Sequence, residues 1–131
     1  MMRVLIRSES HYKFDKKLIT RAVSQKLLKH IKRSAEVSLS IVGNRKMQAL
    51  NKTYRDRDYP TDVLSFPLSE SADPKIAFVD LPDNVLRLGD IVISYPLAIQ
   101  LAKDKNLLVD DAIIQLALHG LDHLLGIHHP E

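Results

Sequence analysis

The sequence predicts an α+β fold: a single domain over residues 1–131, with one mixed sheet of about four strands packed with about four or five helices. Three observations predict it. Stretches that alternate apolar and polar residues are interleaved with stretches whose apolar residues recur every three to four positions. Apolar residues make up 45% of the 131-residue chain, enough for one core, and no internal repeat or linker divides it. Aromatics are only 5% and Trp is absent, so that core must be mostly Leu, Ile, Val and Ala.

In order along the chain, "MRVLIRS" (2–8) reads as a strand, with Val4 and Ile6 alternating against Arg3, Leu5 and Arg7. Between Asp15 and Ile31, residues Leu18, Ile19, Ala22, Val23, Leu27 and Ile31 recur at helical spacing and predict a helix that buries one face. "EVSLSIVG" (36–43) alternates Val37, Leu39 and Ile41 with serines, a half-buried strand ending at Gly43. Asn44 is placed to cap a short helix running through Met47, Leu50 and Tyr54. "TDVLSF" (61–66) is a short strand after Pro60, and "LGDIVIS" (88–94) another, whose Ile91-Val92-Ile93 run predicts burial on both faces. Ser65 and Asp90 are polar positions on these apolar strands and are expected to serve structure. Residues 67–87, rich in Pro, Ser and Asp, read either as a lid or substrate-binding loop, or as a surface excursion or unrecognised hairpin. A helix follows Pro96 to about Lys105. The last helix begins near Asp110, a good N-cap, with Val109 and Ile114 at the spacing of a hydrophobic staple.

With no cysteine, disulfides and thiolate metal sites are excluded. The N-terminal apolar run is too short for a signal peptide and no stretch is long enough to span a membrane, so a soluble cytoplasmic protein is expected. The net charge of +3 hides an asymmetry: residues 1–60 carry a balance of +10 and residues 61–131 one of −7. Such a basic block attracts polyanions. The competing reading is a solvated helix face, since Lys26, Lys29, Lys32 and Arg33 fall on or just after one helix.

Four of the six histidines fall in the last thirteen residues, within "LALHGLDHLLGIHHPE" (116–131). At about 100° per residue, Asp111, Gln115, His119, Asp122 and His123 share the narrow polar stripe of an otherwise apolar helix. Gly126 sits where a left-handed residue ends a helix and would turn His128 and His129 back toward that stripe. His119 and His123, one turn apart, are spaced to share a cation, and a third imidazole leaves a fourth position open, the pattern of a catalytic zinc or a neighbouring first-row metal. The plainer alternative is chance spacing and a frayed tail. Gly120 stands where zinc proteases place their glutamate base, so a peptidase of that type lacks its base.

The H-x3-H-x5-H constellation with its Gly turn resembles the YbeY family of metal-dependent endoribonucleases, whose terminal motif H-G-x-L-H-x-x-G-Y-D-H matches at His119-Gly120, His123, Gly126 and His129. "NKTYRDRDYPTDVLSFP" (51–67) independently resembles the family's N-x-x-Y-R-x-x-D-x-P-T-D-V-L-S-F, and "LGDIVIS" adds a weaker match. The resemblance implies a zinc-type metal on His119, His123 and His129, a catalytic Arg55 near the phosphate, and hydrolysis of single-stranded RNA in 16S rRNA 3′-end maturation and ribosome quality control. Ribosome-associated proteins are implied partners, with neither membrane nor DNA expected. Lys52, Tyr54 and Arg57 are candidate substrate contacts. So are Lys26, Lys29, Arg45 and Lys46 on the basic half, with Tyr59 and Phe66 as further rings for stacking. Without the resemblance, Arg55 reads as the partner of Asp56 or Asp58. This chain departs from the family by Asp122 in place of Leu and by Ile127-His128 in place of Tyr-Asp, so His128 competes with His129 as the third ligand. Two other classes stand beside the nuclease: a non-catalytic ribosome-associated RNA-binding module with a structural metal, and a metallohydrolase of another ester or amide.

Overall fold

The computed structural model describes residues 1–68 and 85–127. The central part of segment 67–87, residues 69–84, lies outside the described residues, as do His128 and His129. The described elements run β1 (Met2–Ser8), α1 (Lys16–His30), β2 (Ala35–Val42), α2 (Asn44–Arg55), β3 (Val63–Pro67), β4 (Leu86–Ser94), α3 (Tyr95–Lys105) and α4 (Val109–Leu124). They form one mixed four-stranded sheet in the order β1-β2-β4-β3, with four helices, as the sequence predicts. β1 and β4 run parallel to β2, while β3 pairs antiparallel with β4 at the edge.

The alternation in the strands decides what packs where. Val37, Leu39 and Ile41 of β2 join Ile91 and Ile93 of β4 under Ile19, Val23 and Leu27 of α1, Ala98 of α3, and Ile113, Leu116, Ala117 and Leu121 of α4. The opposite face is covered over β4 and β3 by α2, whose Met47 packs on Val42, Val92 and Leu64, with Leu50 and Phe66 alongside. Ile91, Val92 and Ile93 therefore bury side chains on both faces, as expected of an interior strand.

Two capping expectations are corrected. Asn44 is the first residue of α2 rather than its cap; Gly43 holds the N-cap position without a side-chain bond. The Asn44 amide oxygen instead accepts the hydroxyl of buried Ser94 at 2.6 Å. That hydroxyl oxygen in turn accepts the Leu97 N–H and caps α3. Asp110 likewise does not cap α4, whose N-cap is Leu108, so Val109 lies inside the helix and the predicted staple is not formed as read. Asp110 accepts the backbone N–H of Asp15 at 2.9 Å, while the Asp15 carboxylate caps α1 through the Leu18 N–H. β3 begins at Val63, two residues later than expected; just before it, the Asp62 carbonyl accepts the Ser94 N–H at 2.9 Å. Asp90 is exposed, so the burial argument holds for Ser65 alone.

Candidate active site and metal centre

α4 is apolar around most of its girth and buries Ala112, Ile113, Leu116, Ala117, Gly120 and Leu121. Asp110 and Asp111 in its first turn complement the helix dipole. Gly120 makes the close approach to the sheet possible. A Cβ there would lie 2.8 Å from Ile91 Cγ2 and 3.4 Å from Val63 Cγ2. The position after the first histidine therefore faces the sheet rather than the histidine stripe. The helix ends as the sequence predicts: Gly126 is left-handed at φ 77°. Its N–H bonds the His123 carbonyl at 3.2 Å, and the Ile127 N–H bonds the Asp122 carbonyl at 2.8 Å, the paired bonds of a Schellman turn.

His119 and His123 are both exposed on the flank of α4, with ring centres 4.7 Å apart and planes inclined by 55°. Two nitrogens bound at about 2.0–2.1 Å to a tetrahedral cation lie about 3.3 Å apart. Tilted, adjacent imidazoles can each offer a nitrogen to one of two such positions. Among the described residues no group of three or more His, Cys, Asp or Glu that could hold a metal ion occurs, and His129 and its competitor His128 fall outside them. Asp122 departs from the expected stripe: it is buried, and its carboxylate is ion-paired with Lys26 of α1. Lys26 is thus drawn out of the set of candidate RNA contacts.

Arg55 closes α2. The next residue, Asp56, takes a left-handed conformation (φ 56°), its N–H returning to the Lys52 carbonyl while that of Arg57 returns to Asn51. Buried Asn51 donates from Nδ2 to the Tyr59 carbonyl at 2.8 Å, so the chain after the helix folds back beneath it. The result is an open cleft of about 330 Å³ lined by Asn51, Arg55, Arg57, Tyr59, Thr61 and Leu64. Arg55 donates to the Ser65 carbonyl at 3.3 Å, with its guanidinium 6.0 Å from the Phe66 ring centre. Asp58 pairs elsewhere: it accepts from Gln48 at 3.0 Å and lies 3.8 Å from Lys52 Nζ. Arg57 donates to the Tyr59 hydroxyl, and exposed Tyr54 meets Phe66 edge-on at 5.1 Å.

Val63 meets α4 and Leu64 meets α2. Successive residues of a strand point to opposite faces, so the histidine helix and the arginine helix flank edge strand β3 from opposite sides. Sequence reasoning missed Asn51 and the Lys26–Asp122 pair. Asn51 lies one turn after buried Met47, a spacing that signals an inward position.

A small α+β domain that carries an imidazole pair and an arginine cleft on the two sides of one edge strand holds residue types that hydrolases of phosphate esters use. The family model described as Endoribonuclease YbeY matches residues 5–131, and the chain belongs to that family. Proteins named Endoribonuclease YbeY resemble it along most of its length. The one from Sulfurihydrogenibium sp. is 33% identical over 97% of this chain and 78% of its own length, and that from Persephonella marina 37% over 98% and 80%. The Alkaliphilus oremlandii protein of the same name is 47% identical over 72% of this chain, which spans 58% of that relative's length. The solution structure of TM1509 from Thermotoga maritima superposes with a TM-score of 0.59 at 26% identity, covering 99% of this chain and 75% of that one.

Proposed function

We propose that this protein is a zinc-dependent endoribonuclease that hydrolyses single-stranded RNA in the cytoplasm, maturing the 3′ end of 16S rRNA and policing ribosomes alongside ribosome-associated proteins. The observation that carries the reading is the tilted pair His119 and His123, 4.7 Å apart, on the terminal helix of a chain whose residues 5–131 match an endoribonuclease family. His119, His123 and His129 are the residues that would hold zinc or another first-row divalent ion. When bound, such an ion supplies Lewis acidity and a water nucleophile available near neutral pH.

The chain's own groups do the rest. Arg55 is held at the β3 edge by the Ser65 carbonyl, a contact that uses one donor of a five-donor fork. The fork can grip two non-bridging oxygens of a phosphodiester at once and stabilise the charge that builds there. Arg57, in the same cleft, extends the cationic surface along the strand, and Lys52 lies on the exposed face of α2. Tyr54 and Tyr59 expose 59% and 51% of their surface, enough for a base to stack on, whereas Phe66 is half-buried against α2. Stacking on open rings supports single-stranded over duplex RNA, whose bases are closed to side chains.

Single-turnover cleavage of an end-labelled single-stranded RNA by wild type and His123→Ala tests the proposal. Wild type is expected to cut and the variant to be at least about 100-fold slower, with no cutting of the matching DNA. Equal cleavage by both would assign the activity to a contaminant and leave an RNA-binding module. RNA binding with no cleavage by either would favour that module outright.

A further inference from the structure

Asp122 lies on α4 between the two histidines, on the flank turned toward α1, with 5% of its surface exposed. Its carboxylate meets the ammonium of Lys26, whose side chain is itself 23% exposed. An exposed pair of this kind would contribute almost nothing, because both charges stay hydrated in any orientation. Here both are largely stripped of water, so separating them would leave a charge in a poorly solvated place, and the contact favours one geometry. The same residue also anchors the chain beyond the helix: its carbonyl accepts the Ile127 N–H at 2.8 Å, the outer bond of the turn around Gly126. Asp122 therefore ties the last turn of α4 sideways to α1 through its carboxylate, and forward to the departing chain through its carbonyl. Leu stands here in the family motif this chain otherwise resembles.

We propose that Lys26 and Asp122 are positioning residues: the buried pair sets the rotation of the last turn of α4 about its axis, and with it the aim of His119 and His123 at one cation. The assignment rests on reading those histidines as metal ligands. Neither Lys26 nor Asp122 is assigned a contact with the metal or with RNA.

The test is zinc affinity by competition with a chromophoric chelator, run beside the unfolding midpoint of the metal-free protein, for wild type, Lys26→Met, Asp122→Leu, the double K26M/D122L, and Lys26→Arg. Each apolar single variant is expected to bind zinc 10–100-fold more weakly, the range found when groups behind metal ligands are removed. The double variant is expected to regain the unfolding midpoint, since an apolar pair replaces a buried ion pair at little cost, without regaining zinc affinity. Lys26→Arg, which keeps the charge, is expected to bind zinc within a few-fold of wild type. Zinc affinity that tracks the unfolding midpoint through the series, or is normal in the double variant, would overturn the assignment and leave the pair purely structural. Should Asp122→Leu fail to fold, Lys26→Gln decides alone: undiminished zinc affinity in it overturns the assignment. Failure of the wild type to bind zinc at all would overturn the ligand reading, and this assignment with it.

Discussion

Arg55 shows how little a residue's own sequence neighbourhood says about its work. Aspartates follow it by one and three positions, which suggests a surface ion pair. In the structure Asp58 turns to Gln48 and Lys52, and Arg55 reaches the Ser65 carbonyl on β3. Arg55→Ala is expected to lower single-turnover RNA cleavage by about 10²–10³-fold, the usual consequence of losing one preorganised charge stabiliser, with zinc content unchanged. Arg55→Lys should recover only part, because an ammonium cannot grip two oxygens in a fork. Loss of zinc in Arg55→Ala would show that the residue supports the metal centre instead. The histidine pair was legible because helical spacing alone puts residues 119 and 123 side by side. Asp122 was not, because a helical wheel shows its direction but not that a lysine 96 positions earlier lies across from it.

At the scale of elements, the positions of strands and helices were legible to within about two residues, since each is written in a period of two or of three to four. Two of the helix caps were not. Asn44 and Asp110 have good capping side chains, yet each bonds a partner in another element, Ser94 and Asp15. Local preference cannot register a partner 50 or 95 residues away. α4 offers a sharper test of packing against propensity. Gly120→Ala would gain about 1 kcal/mol of helix propensity. It would also set a methyl 2.8 Å from Ile91 Cγ2, and overpacking of that kind costs about 1–3 kcal/mol. Packing is expected to win, lowering stability by up to about 2 kcal/mol in denaturant unfolding. A variant more stable than wild type would mean that α4 can ride up from the sheet.

For the whole molecule, the unbroken Ile91-Val92-Ile93 run correctly announced an interior strand, while the strand order and the edge position of β3 depend on pairings no single stretch encodes. That order places α4 and α2 on opposite faces of one edge strand, with Arg55 and Arg57 in the cleft beside it. RNA affinity is accordingly expected to fall by roughly 50-fold between 50 and 200 mM salt if four phosphates of a single strand are neutralised. Titrating a short uncleavable RNA analogue measures the slope, and a flat one would contradict a polyanion substrate. Among the described residues no helix is long and apolar enough to cross a membrane.

Imidazoles from α4 are expected to gather one cation, and X-ray absorption at the zinc edge on untagged, unheated protein tests that most directly. It should find about one zinc per chain with nitrogen neighbours at about 2.0–2.1 Å, and the signal should vanish in the double variant H119A/H123A. Zinc well below one per chain that added zinc does not raise, or a zinc signal that survives in the double variant, would contradict it.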